Sequence, residues 1–152
     1  MSGVGTSATD IGTLALREVR ERHDAFVEWF VRGTEKAVMA SIDAALGPDF
    51  AQVSPSGATY GRPALIDMLR GARATREADF AIAIEDDRVL WSARDAALVA
   101  YVERQWIGGE TTRRRSTALF TLDPDAPGGV LWRHVQETWT DPPSGVARAR
   151  DD

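Results

Sequence analysis

The stretch LWRHVQETWT at residues 131–140 follows RRRSTALFTL at residues 113–122. Both alternate between two sets of side chains and carry β-branched and aromatic residues, so both read as strands. Residues 96–107 form a third run of this kind. Residues 79–84, with an extension through 89–91, form a fourth. Gly108-Gly109 and the segment 123–129 supply the turns between the last three. Four strands joined this closely make a meander. They imply a curved sheet that walls one side of a pocket.

The first half of the chain reads differently. Asp10 can cap a helix running to about Arg32, with Ile11, Leu14, Ala15, Val19, Phe26 and Phe30 at helical spacing and His23 on the same face. Gly33 ends it, and Thr34 can cap a second helix. That helix carries Val38, Ile42, Ala45 and Leu46 on one side and stops at Gly47-Pro48. A short strand at 50–54, a turn at Pro55-Ser56-Gly57 and a return strand at 58–60 follow. Gly61-Arg62-Pro63 opens a third helix, since proline is favoured in a first turn. Leu65, Met68, Leu69 and Ala72 form its inner face. Helices segregated from a run of strands imply an α+β fold with helices on one face of a mostly antiparallel sheet.

A chain of 152 residues fits one domain with a real core. We expect that domain at 10–141, between disordered tails at 1–9 and 142–152, which are rich in Gly/Ser/Thr and in Pro and charge respectively. There is no cysteine, and only two histidines, His23 and His134, so disulfides, thiolate nucleophiles and Cys- or His-rich metal sites are excluded. No metal and no organic cofactor is expected. A net charge of −5 argues against general affinity for nucleic acid or anionic membranes. No segment approaches the roughly 20 apolar residues of a membrane span. The start, MSGVGTSATD, lacks the basic and apolar regions of a signal peptide, so a cytoplasmic location is expected.

Four stretches in order resemble the nuclear transport factor 2-like superfamily, and within it the SnoaL-like domains related to the association domain of calcium/calmodulin-dependent protein kinase II. They are PDFAQVSPSGATYGRPALIDML at 48–69, ALVAYVERQW at 97–106, RRSTALFTL at 114–122 and LWRHVQETWT at 131–140. The resemblance implies a cone-shaped fold, a strongly curved sheet with three helices on its concave face. Two histidines of the family's last strand are replaced here by Gln136 and Thr138. Where the association domain has cavity arginines, this chain has Glu103, Ala118 and Trp139, so carboxylate binding through those positions is not implied. Members include isomerases, polyketide cyclases, epoxide hydrolases, dehydratases and non-catalytic association modules, so activity must be argued from residues.

Strand parity offers two faces. Periodicity alone does not say which is concave. The resemblance favours Tyr101, Glu103, Ser116, Ala118, Phe120, Val135, Glu137 and Trp139, with Arg133 in the same parity, as pocket-facing. Val102, Trp106, Leu119, Trp132 and His134 then lie on the convex face, an apolar patch that suggests a homodimer. Glu103 and Glu137 in one apolar cavity would have pKa values pushed apart, which suits acid–base work. Tyr101, the third catalytic candidate, could donate to an oxyanion. His23, Ser116, Phe120 and Trp139 are ligand-binding candidates. The bland alternative pairs each glutamate with an arginine such as Arg114 or Arg104. His134 reads as a sheet contact, the Arg113–Arg115 triplet as a solvated strand end, and Asp86-Asp87 as a turn. Two functions stay open: a cofactor-free acid–base enzyme (isomerase, cyclase or hydrolase type) on an apolar or polyketide-like molecule, and a non-catalytic ligand-binding or association module.

Overall fold

The structure, a computed structural model, describes residues 9–146. Most of the expected tails, 1–8 and 147–152, lie outside the described residues. Three helices and six strands follow in the order α1 (Ile11–Val31), α2 (Lys36–Ala45), β1 (Leu46–Val53), β2 (Thr59–Gly61), α3 (Arg62–Gly71), β3 (Ala81–Ser92), β4 (Ala96–Ile107), β5 (Glu110–Leu122) and β6 (Val130–Asp141). The fold is α+β, as the segregation of elements implies.

The sheet order is β2-β1-β6-β5-β4-β3. β3 to β6 form the expected antiparallel meander. β1 joins it in parallel beside β6, so the sheet is mixed. A parallel neighbour requires a long crossover, and everything between β1 and β6 supplies it. α1 lies across β3, β4, β5 and β6, α2 packs on α1, β1 and β6, and α3 packs on β1 and β2.

Local chemistry explains the ends. The Asp10 carboxylate accepts from the Thr13 N–H at 2.9 Å and caps α1. Gly33, at φ +57°, turns the chain out of α1, a conformation that favours glycine. α2 starts one residue later than expected, after Glu35 and without a side-chain cap. Gly61 and Pro63 open α3 as the sequence suggests.

Four details depart from the sequence reading. β1 begins at Leu46 and runs through Gly47-Pro48. Its ladder to β6 is interrupted between Leu46 and Ala51, so the missing proline donor falls where no regular ladder asks for it. Asp86-Asp87 is not a turn. It is a bulge inside β3, with Asp86 at φ +53° and the pairing to β4 shifted between Glu85 and Arg88. Asp87 there accepts from Arg20 of α1 at 2.6 Å.

The third and fourth departures matter most. Phe120 pairs with Trp132 while Leu119 pairs with His134, so Arg133 is an extra residue in β6. The bulge reverses parity at that end of the strand. Trp132 therefore points to the concave side, not the convex one. Arg133 leaves the pocket-facing set and pairs with Asp49 at 2.7 Å.

The concave side buries more than apolar groups. Ala15, Val19, Ile42, Val99, Ala118, Phe120 and Val130 are wholly buried. So is Glu18, and Arg22 is nearly so. Arg22 donates to Glu18 through Nε at 2.7 Å and Nη2 at 2.9 Å, and to the Ser41 hydroxyl at 2.8 Å. The Trp132 indole N–H donates to the same Glu18 at 2.8 Å. Gly128 closes over the pair: a Cβ there would come within 2.3 Å of Glu18 Oε1.

A buried pair of this kind costs most when half of it is removed. Glu18→Ala should destabilise the fold by about 3–5 kcal/mol by leaving Arg22 unpaired. The double substitution Glu18→Leu, Arg22→Met should cost less than either single one. Urea unfolding measures both. A double variant as damaged as the sum of the singles would show that the two side chains do not act as a pair.

Candidate functional site

Between α1, α3 and the concave sheet lies a cavity of about 210 Å³. Phe26 and Phe30 of α1, Phe50 of β1 and Leu65, Met68 and Leu69 of α3 line its apolar side. Phe26 and Phe30 stack with centroids 5.9 Å apart. Its polar side is His23, Gln52, Tyr101, Glu103, Arg114 and Glu137. Each comes from a different position in the chain, and parity explains four of them. Tyr101 and Glu103 alternate on β4, and Arg114 and Glu137 share their face from β5 and β6.

His23 sits at the centre. Its Nδ1 lies 2.6 Å from the Val19 carbonyl and its Nε2 lies 2.9 Å from Glu103 Oε1. A carbonyl oxygen only accepts, so Nδ1 carries a proton. A second proton between Nε2 and Glu103 makes the contact an imidazolium–carboxylate pair. Burial would lower the His23 pKa, but the Glu103 charge and hydrogen bond, with the Val19 bond, raise it. Burial would raise Glu103; the His23 charge and hydrogen bond, Arg114 and the Gln105 amide outweigh it and hold Glu103 down at about 2. Gln105 donates directly to Glu103 Oε2. The His23 ring is boxed by Phe26, Tyr101 and Trp132, with centroids at 5.4, 5.6 and 6.2 Å.

Glu137 behaves in the opposite way. Burial, and next the charge of Glu103, push its carboxyl above the ordinary value of 4.5. Arg114 and Gln52 oppose this without cancelling it. Gln52 donates to Oε1 at 2.5 Å, while Arg114 Nη1 stays 3.5 Å from Oε2. The same burial and the two carboxylate charges push the Tyr101 phenol well above 10, so it stays a proton donor. Two carboxylates in one cavity thus have pKa values driven apart, which is the arrangement acid–base chemistry uses.

The structure brings together His23, Tyr101, Glu103 and Glu137. Three further candidates stand elsewhere. Phe120 is wholly buried behind Trp132, with ring centroids 4.5 Å apart, and does not reach the cavity. Ser116 sits between Tyr101 and Glu137 in the ladder, buried beside the Tyr101 phenol and outside the cavity lining. Trp139 stands outside the lining, beneath the Arg114 guanidinium at 4.7 Å. Gln52, Arg114 and Trp132 were not among the candidates. For Arg114 the signal was present, since it shares the parity of Ser116. For Trp132 there was none, because a bulge leaves no mark in alternation. Among the described residues no group of three or more His, Asp or Glu is placed to hold a metal ion.

No protein-family model matches the sequence, and no curated protein matches it. Solved structures do. The chain is similar to a nuclear transport factor 2-like protein of unknown function from Pseudomonas aeruginosa, at 29% identity over 83% of this chain and 98% of that one, with a TM-score of 0.76. A calcium/calmodulin-dependent kinase II hub from S. rosetta matches at 14% identity over 88% and 99%, with a TM-score of 0.69. An uncharacterised cystatin-like-fold protein from Caulobacter vibrioides matches at 16% identity over 86% and 91%, with a TM-score of 0.62. The strands and helices described above are therefore those of the nuclear transport factor 2-like fold.

Proposed function

We propose that the chain is a cofactor-free acid–base enzyme acting on a small, largely apolar molecule. One observation carries the reading: Glu137 is 6% exposed in an aromatic-walled cavity, where burial and the ionised Glu103 beside it push its carboxyl above the ordinary value. Glu137 is the proton-transfer group. Tyr101 donates to an oxygen that gains charge during the reaction. The His23–Glu103 pair is a fixed dipole that keeps the pKa of Glu137 high and packs the cavity floor. Proton transfer at a carbon next to a carbonyl fits this set.

A second reading, a non-catalytic ligand-binding or association module, is favoured by one feature. Both carboxylates have protein partners, His23 for Glu103 and Gln52 with Arg114 for Glu137. We also propose that the chain forms a homodimer through its convex face. Val102, Trp106, Leu119 and His134 remain half-buried there in the single chain, after Trp132 has turned inward. Leu98 and Trp91, 56% exposed, extend the row across β4 and β3.

Deuterium exchange next to the carbonyl of aryl ketones and aryl keto acids, read by NMR in heavy water, tests the acid–base reading. Glu137→Gln should slow exchange by about a hundredfold or more. The rate should rise with pH through a value above the ordinary 4.5 of a carboxyl, because the ionised form is the base. Exchange that survives Glu137→Gln would sink the acid–base reading, and no exchange with any ketone would leave the module.

Stability separates the two glutamates. Glu103→Gln should cost about 3 kcal/mol by stranding His23, whereas Glu137→Gln should stay within about 1 kcal/mol. The Glu103 contribution is present above its unfolded pKa near ~4.3 and is lost as pH falls through about 2. The His23 contribution is present below its unfolded value near ~6.5 and is lost as pH rises through its raised folded value. The pair therefore stabilises fully between about pH 4.3 and 6.5. Unfolding curves across that range check both, and equal losses for the two glutamine variants would contradict the assignment of roles.

For the dimer, Leu119→Asp should give a monomer by sedimentation while wild type sediments as a dimer at micromolar concentration. A wild-type monomer would refute the convex-face contact.

A further inference from the structure

We propose that Arg114 is a carboxylate subsite: the cavity takes an apolar molecule bearing one carboxylate, which the guanidinium holds while Glu137 takes up a proton. The inference deepens the acid–base reading and rests on the titration of Glu137 in the cavity wall.

Arg114 differs from the other partly buried arginines of this sheet. Arg113 donates to Asp141 at 3.0 Å, Arg104 pairs with Glu85 at 3.1 Å, and Arg133 pairs with Asp49 at 2.7 Å. Arg114 lines the cavity and donates no hydrogen bond to any described residue. Its Nε is buried without a partner, as is that of Arg104, but Arg104 also has an ion-pair partner at 3.1 Å. Its contact with Glu137 is 3.5 Å, too long for a charge-assisted hydrogen bond. A buried guanidinium N–H without an acceptor in a native fold calls for an acceptor from outside the chain, water or ligand. The guanidinium carbon lies 4.7 Å from the Trp139 ring centroid, a cation–π contact that uses none of its N–H groups as hydrogen-bond donors. A carboxylate matches a guanidinium edge in two parallel bonds.

The charges around it decide when an anion can enter. Glu137 faces Arg114 from β6, Glu103 and Tyr101 from β4, and His23 from α1; Gln52 of β1 adds a neutral amide. His23 offsets the charge of Glu103 in part, and Glu103 stays ionised. Tyr101 stays neutral. Glu103 and Glu137 both act on Arg114, and Glu137 is the one whose pKa is raised. Its burial favours the protonated form, and a ligand carboxylate nearby favours it further. Anion binding and proton uptake are therefore coupled, and affinity rises as pH falls. The cavity of about 210 Å³, walled by Phe26, Phe30 and Phe50, fits a single-ring acid.

Calorimetry with phenylacetate and its uncharged match, phenylacetamide, tests this. Phenylacetate should bind wild type about tenfold or more tightly than the amide at about pH 5.5, and more weakly at about pH 8. Buffers of different ionisation heat should report uptake of a proton on binding. Arg114→Met should reduce phenylacetate to the affinity of the amide, whose unchanged binding shows that the cavity is intact. Glu137→Gln should bind phenylacetate at both pH values without the pH dependence, whatever its effect on proton exchange, so binding is read apart from catalysis. No saturable phenylacetate binding, equal affinity for acid and amide, unchanged binding in Arg114→Met, or affinity in wild type that ignores pH would each overturn the proposal. If Arg114→Met does not fold, the acid–amide comparison and the Glu137→Gln titration decide.

Discussion

Two buried charged contacts lay α1 across the sheet. Glu18, held by Arg22, receives the Trp132 indole of β6, and four to five residues further along the helix His23 reaches Glu103 of β4. Helical spacing puts these side chains on one face, toward the concave side of the sheet. Apolar packing by Ala15 and Val19 could tolerate sliding or rotation of the helix. Directional bonds to two strands cannot. The position of α1 then sets the cavity, because Phe26 and Phe30 lie one and two turns beyond His23 and form its roof.

The same contacts set the electrostatics. Desolvation penalises every charge in the cavity, and the fold answers it unevenly. Glu103 receives an imidazolium and an amide donor, so its charge is retained. Glu137 receives one amide donor and a guanidinium held at a distance by Trp139. Neighbouring carboxylates thus differ because their partners differ, and the ionised one raises the pKa of the other. A carboxyl with a raised pKa, a phenol kept protonated and an arginine without a hydrogen-bond acceptor thus share one cavity.

The element order, the α+β class and the meander were legible because hydrophobic period and turn chemistry are local. The joint appearance of Tyr101, Glu103 and Glu137 on one face was legible for the same reason, since β4 and the stretch of β6 from His134 to Trp139 keep a strict period of two. The parity argument failed where the ladder carries an extra residue. At Arg133 it put Trp132 outside the cone, and the tertiary structure turns it inward, where its indole meets Glu18. Asp86 was misread for the same reason, a bulge resembling a turn in sequence.

The sequence by itself determined which segments are helices and strands, and which polar side chains share a strand face, because those follow from residue type and spacing. Only the tertiary structure decided what those side chains meet. His23 and Glu103 are 80 residues apart, Glu18 and Trp132 are 114, and Gln52 and Glu137 are 85. No local pattern encodes such pairs. They form because α1 and β1, at one end of the chain, pack against β4 and β6 near the other. The burial that results is answered by partners at one carboxylate, which stays ionised, and less so at its neighbour, whose pKa rises.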